Sequence, residues 1–160
     1  MLRLSKKSDY ALMAMKHLAL RTDGGASSSA REMSEAYDIP LELLAKVLQR
    51  LVRARLLVSV QGTRGGYRLG RPATAISVAD VIQAVDGPVT VTACSTDDHN
   101  CDQYSKCSIR DPLWKIKNRI FDALNTVSVA EMAAESEAPA QPQTHTVSRM
   151  VFVPPFGEGR

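Results

Sequence analysis

The sequence predicts a mainly α-helical fold carrying one small β-hairpin, and three observations predict it. Apolar residues recur at helical spacing between Ser8 and Ala54, the period falls to two in Leu57–Val60 and Tyr67–Leu69, and a long helical stripe returns after Pro112. Ser8 to Arg21 reads as the first helix: Ala11, Ala14, Met15 and Leu18 share a face, Ser8 stands at a capping position, and Asp23-Gly24-Gly25 stops it. Ser29 caps a second helix, Ala30 to Tyr37, with Met33, Ala36 and Tyr37 as its apolar side. Asp38-Ile39-Pro40 then turns the chain, and Pro40, lacking an amide hydrogen, fits only the first turn of the next helix. In that third helix, Leu41 to Ala54, Leu41, Leu44, Leu48 and Leu51 make an inward seam and Lys46, Gln49, Arg50 and Arg53 point outward. Two strands around the turn Gln61–Gly66 form a hairpin tipped by Arg64.

Ile76-Ser77-Val78-Ala79-Asp80-Val81-Ile82 leads into a helix running to Val85, stopped by Asp86-Gly87-Pro88. Residues 89–108 are too polar and irregular for helix or strand throughout and read as a loop. Pro112 opens a long helix to Val127 with Leu113, Ile116, Ile120, Ala123, Leu124 and Val127 on one stripe, a pattern that suits either a dimer seam or burial against its own domain. Ser128-Val129-Ala130-Glu131 is a capping box that starts a last short turn. From Ala133 on, Glu, Ala, Pro, Gln, Ser and Thr dominate, which predicts disorder, with the apolar Met150–Val153 inside it.

Short helix, tight turn, second helix with a polar outer face and then a basic hairpin is the order of a winged helix-turn-helix. The expected organisation is a DNA-binding winged helix-turn-helix over residues 1–71, a connecting helix and cysteine loop over 72–111, a dimerisation helix over 112–132 and a disordered tail over 133–160. Charge agrees with this division. The net charge of +3 hides an asymmetry: residues 1–71 hold 13 Lys and Arg against 6 Asp and Glu, and residues 72–160 hold 7 against 11. A basic block joined to an acidic remainder points to a polyanion met by one part only. No apolar run approaches the roughly 20 residues of a bilayer crossing, and no signal peptide opens the chain. The expectation is a cytoplasmic protein without a membrane partner. No cysteine is paired with a histidine base in a recognisable motif, and no phosphate loop or carboxylate pair is present, so no enzyme is expected.

The three cysteines, Cys94, Cys101 and Cys107, form a Cys-x6-Cys-x5-Cys array. Clustered thiolates in a protein of cytosolic character bind a soft metal or a cluster more readily than they form disulfides. Three thiolates need one further ligand, and the set then suits a 2Fe-2S cluster, a 4Fe-4S cluster or zinc. Spacing does not separate these. His99, Asp97 and Asp98 lie inside the array as local candidates, whereas His17 and His145 read as unrelated to the metal.

With the elements in this order, the chain resembles the IscR/NsrR-type family of iron-sulfur-cluster winged-helix transcription regulators. The resemblance rests on Leu4-Ser5-Lys6 and Tyr10-Ala11, on Arg64-Gly65-Gly66-Tyr67-Arg68-Leu69 in the wing, on Ile76 to Ile82 after it, and on the three-cysteine loop before the long helix. It covers residues 1–132. Met1 to Lys6, Cys107-Ser108-Ile109-Arg110 and the helix with Trp114 are most similar to the branch controlling SUF iron-sulfur assembly. The resemblance implies a homodimer joined through the long helices, a double-stranded DNA operator, and repression of iron-sulfur assembly genes governed by a bound cluster. A nitric oxide or redox sensor of the same fold, or a zinc-stabilised DNA-binding protein, is the alternative. In the IscR type a histidine three positions after the last cysteine completes the site, but Arg110 stands there and stays protonated. The NsrR type uses an aspartate near the start of the first helix, supplied by the partner subunit, and Asp9 matches it. Asp9 is therefore the leading fourth ligand and His99 its rival.

For DNA, the outer face of the third helix suits the major groove, with Gln49, Arg50 and Lys46 reaching base edges or phosphates and Glu42 accepting from cytosine. Arg64 suits a narrow minor groove, and Lys6, Lys7 and Arg53 suit phosphates.

Overall fold

Serines open four of the six helices found among the described residues: Ser5, Ser29, Ser77 and Ser128 each accept a backbone N–H with the side-chain oxygen. Three of these form reciprocal capping boxes, with Glu32, Asp80 and Glu131 returning the bond. A computed structural model describes residues 4–21, 27–62, 65–90 and 102–135. Helix α1 spans Lys6–Leu20, α2 Ala30–Tyr37 and α3 Leu41–Arg53. The cap of α1 is Ser5 and not Ser8: the Ser8 amide donates to Ser5 Oγ at 3.2 Å, and Ser8 itself is buried one turn inside the helix. The helix extends two residues earlier than the apolar pattern indicates because capping, not hydrophobicity, sets its start.

Between α2 and α3 the backbone reverses at Asp38, which adopts the left-handed conformation at φ 52°, a cost that Asp tolerates better than most side chains. Ile39 then turns inward and is buried. Helix α3 buries Leu44, Val47, Leu48 and Leu51, while Leu41, expected in that seam, remains 39% exposed. Leu41 is the first helical residue, beside Pro40, and the seam begins one turn later. Ala36, expected on the apolar side of α2, is likewise exposed; Met33 is buried there, with Ala30 and Tyr37 partly buried against the core. Arg55, at φ 59°, ends the far side of α3, and the Leu56 amide closes back onto the Leu51 carbonyl at 3.0 Å.

Strands β1 (Leu57–Val60) and β2 (Gly66–Leu69) pair antiparallel, Leu57 opposite Leu69 and Val60 opposite Gly66. A third partner is absent from the sequence pattern: Ser28 pairs with Tyr67, its amide donating to the Tyr67 carbonyl at 3.0 Å and its carbonyl accepting from the Tyr67 amide at 2.8 Å. Gly66 makes that approach possible. A Cβ there would stand 2.5 Å from the Ser28 carbonyl oxygen.

A 3-10 turn over Ala73–Ala75 leads to α4, Val78–Asp86. A second 3-10 turn, Tyr104–Lys106, interrupts the expected loop just before α5, Arg110–Thr126, which begins two residues before Pro112. Pro112 is third in that helix, where its missing N–H has no intrahelical acceptor to lose. Helix α6, Val129–Ala134, brings the chain back beside α4: the Val78 amide donates to Val127 O and the Val129 amide to Ile76 O, both at 2.9 Å. One hydrophobic cluster joins α1, α3, α4, β1 and α6 through Ala11, Met15, Leu48, Leu57, Val81 and Val129, all at most 1% exposed. No residue of α5 is buried. No described helix is long and apolar enough to cross a membrane.

Gly66→Ala is expected to lower unfolding stability by roughly 1–3 kcal/mol through overpacking against the Ser28 backbone, with loss of the Ser28–Tyr67 pairing. Chemical denaturation read by circular dichroism measures the first, and amide exchange at Tyr67 the second.

Candidate nucleic-acid interface and cysteine site

Burying Leu44, Val47, Leu48 and Leu51 turns the opposite face of α3 to solvent, and Glu42, Lys46, Gln49, Arg50 and Arg53 are all exposed there. Arg50 and Arg53 lie in the last turn, where cations offset the negative end of the helix dipole. Gln49, Val52 and Arg53 face Ser59 and Tyr67 across an open cleft between α3 and the hairpin, so the recognition face and the wing share one surface. Lys6 and Lys7 are exposed in the first turn of α1. Arg64, at the hairpin tip, lies outside the described residues.

Arg50 has a second partner that its spacing does not reveal. Its guanidinium donates to the Val85 carbonyl at the C-terminal end of α4, satisfying one of the acceptors that a helix end leaves open. Beside it, Asp86 Oδ2 accepts from the buried Ser8 hydroxyl at 2.7 Å. A carboxylate at a helix C-terminus is disfavoured by the dipole. Partial burial would raise the Asp86 pKa further, but hydrogen bonds from Ser5 and Ser8 and the charges of Lys7 and Arg50 outweigh it and hold the group below its ordinary value of 3.8. The end of α4 is thus tied to the start of α1 on one side and to α3 on the other. Nothing in the spacing of Ser8, Arg50 and Asp86 signals this junction, because it joins residues up to 78 positions apart.

Of the proposed metal ligands, Cys107 and Asp9 are described and both are half-buried. Cys107 follows the 3-10 turn at the foot of α5. Asp9 stands in the first turn of α1, next to Ser8, and among the described residues its carboxylate has no hydrogen-bond or ion-pair partner. Cys94, Cys101, His99, Asp97 and Asp98 lie outside the described residues. Among the described residues, no three His, Cys, Asp or Glu side chains of one chain come together as a metal site. A carboxylate left without a partner at this position suits a ligand role, and a complete donor set requires the cysteine segment as well. On α5, Lys117 Nζ lies 4.8 Å from the centroid of the Trp114 ring, whose buried Nε1 has no hydrogen-bond partner among the described residues.

Helix-turn-helix, exposed basic recognition face and docked hairpin define a winged-helix DNA-binding transcription regulator. Residues 4–135 match the Rrf2 family, described as iron-dependent transcriptional regulators, and the chain belongs to that family. It is 36% identical over 137 residues to the HTH-type transcriptional regulator IscR of Vibrio cholerae, covering 85% of this chain and 78% of that protein. It is 37% identical to IscR of Erwinia tasmaniensis, again over 137 residues, covering 85% and 81% of the two. Among solved structures, IscR of T. potens superposes with a TM-score of 0.67 at 27% identity over 88% of this chain and 93% of that one. CymR of B. subtilis, described as a global cysteine regulator, gives 0.67 at 25% identity over 84% and 98%.

The depressed pKa of Asp86 has a definite sign in stability: its contribution is complete above the ordinary carboxylate range and is lost as pH falls through the lower folded value. Asp86→Asn is therefore expected to lower stability at neutral pH by roughly 0.5–1 kcal/mol, below the usual range for a charged hydrogen bond because the group is screened by solvent. The difference from the parent should shrink as pH falls below 3.8 toward the lower folded value. Denaturant titrations at neutral and acid pH measure both.

Proposed function

We propose that this chain acts as a homodimeric repressor of iron-sulfur assembly genes, governed by a 2Fe-2S or 4Fe-4S cluster held by Cys94, Cys101 and Cys107 with the partner subunit's Asp9 as fourth ligand. The observation that carries the reading is α5. It begins just after Cys107, buries none of its residues, and leaves Leu113, Ile116 and Ile120 incompletely covered, with Ile116 46% exposed. An amphipathic helix whose apolar stripe is only partly covered by its own chain is suited to a second copy of itself. Cys107 stands at the foot of α5, so a dimer through that helix brings the two Cys107 residues toward the interface.

On DNA, Glu42, Lys46 and Gln49 on α3 read base edges, Arg53, Lys6 and Lys7 hold phosphates, and Arg64 enters the minor groove. Arg50 reaches DNA only by leaving the Val85 carbonyl. When bound, the cluster supplies a redox- and oxygen-labile centre. A carboxylate oxygen is a harder ligand than thiolate, which favours lability. Control of DNA binding follows from any difference in affinity for the cluster between two arrangements of the α3 pair. The likeness to IscR proteins supports the regulatory reading.

Purification without oxygen is expected to give coloured protein containing iron and sulfide. Replacing Cys94, Cys101 and Cys107 together with Ser should abolish both while leaving a folded dimer. Cluster loading should change the affinity for operator DNA by a factor of about 5–150. Asp9→Ala should speed loss of the cluster in air. Mixing Asp9→Ala protein with the triple-cysteine variant should restore one complete site per heterodimer, and absence of iron from verified heterodimers would refute ligation across the interface.

A further inference from the structure

His17 stands where α1, α2 and the wing meet. Its Nδ1 lies 3.1 Å from Tyr37 Oη and its Nε2 3.2 Å from Ser28 Oγ. The Tyr37 ring meets the imidazole edge-on, with centroids 5.5 Å apart at 82°. The Arg21 guanidinium donates to the same Ser28 Oγ at 3.0 Å. Ser28 has no exposed surface, and its backbone carries both hydrogen bonds that pair the helical body with Tyr67 of β2. The hydroxyl held by His17 thus belongs to the residue on which the wing docks.

The burial of Ser28 bears on which tautomer of His17 it meets. A serine hydroxyl has one proton and two lone pairs. Arg21 occupies one lone pair as a donor; in the tautomer of neutral His17 with an open Nε2, that nitrogen accepts the buried Ser28 proton and Nδ1–H donates to Tyr37 Oη. The buried Ser28 hydroxyl then uses both its proton and a lone pair. Protonating His17 places a second N–H against Ser28 Oγ, leaves the buried serine proton without its acceptor, and adds a positive charge beside Arg21.

We propose that neutral His17 is a positioning residue for DNA binding: through Ser28 it fixes the wing against the helix-turn-helix, and its protonation releases that hold. The ionisable groups facing it are Arg21 on its own helix, Glu32 and Tyr37 from α2, and Tyr67 from the wing side of Ser28. Burial, then the charge of Arg21, lowers the His17 pKa from its ordinary value of 6.5, and Glu32 opposes this only in part. A lowered folded-state pKa means that the stabilisation is complete above pH 6.5 and is lost as pH falls below that value toward the folded one.

The test is amide exchange at Ser28 and Tyr67 in the full chain, corrected for intrinsic rates and referenced to the α1 amides, together with affinity for a mixed-sequence DNA duplex. In the parent, protection of these two amides should fall about fivefold between about pH 7.5 and pH 5.5, while α1 is unchanged. His17→Ala should show the about fivefold lower protection at both pH values and weaker duplex binding at the higher one. His17→Gln, whose amide oxygen accepts from Ser28 but does not titrate, should keep near-parental protection with no pH step. If His17→Ala disturbs α1 itself, Ser28→Ala decides, because it removes only the hydroxyl: the same fivefold loss is expected. Parental protection in Ser28→Ala, or a pH step that persists in His17→Gln, would overturn the assignment. Because protection is read without operator or cluster, its failure is distinct from failure of the proposed repressor function.

Discussion

The close packing allowed by two alanines on α1 is the constraint on which the other elements depend. Ala11 and Ala14 are at most 1% exposed, and their small side chains let α3, α4 and α6 approach one helix from different directions, with Met15 and Leu18 filling the larger gaps. Because α1 is shared, the geometry of the DNA-binding part is not independent of the helices later in the sequence. Val81, Val85 and Val129 belong to the same cluster as Leu48 and Leu51 of the recognition helix. Any shift of α4 is therefore felt at α3 through contact and through the Arg50–Val85 bond.

Much of the architecture was legible in the chain because local rules and tertiary packing agree there. The stripe Ala11, Ala14, Met15 and Leu18, the Ser29 cap and the period-two hairpin each produce the element expected. The misses share a cause. Ser8 has the composition of a cap but is buried because Ser5 already serves that role, and Leu41 keeps the seam spacing but lies beyond the edge of the core. Ser28 reads as linker yet forms the third partner of the wing, since a one-residue bridge leaves no periodicity to detect.

The functional surfaces divide in the same way. The exposed face of α3 follows from helical spacing alone, and Glu42, Lys46, Gln49, Arg50 and Arg53 emerge on it together. Which of them is free to act does not follow, because Arg50 finds a carbonyl on a helix far away in sequence. The cysteine array stands out by residue type alone, whereas only Cys107 of the three lies among the described residues. Asp9 has no partner for its carboxylate among the described residues, and nothing in its local sequence distinguishes it from an ordinary first-turn acid.

The left-handed residues at the two ends of α3 have a consequence for reading accuracy. Asp38, two residues before Pro40, and Arg55, just after Ala54, both hold positive φ, so neither end can lengthen or shorten without moving a side-chain-bearing residue out of a costly conformation that the turn requires. A helix free to gain a residue at one end and lose one at the other would rotate its side chains by about 100° relative to its flanks. With both ends pinned, the angular setting of the helix is fixed, and the same few side chains emerge on its exposed face each time the protein folds.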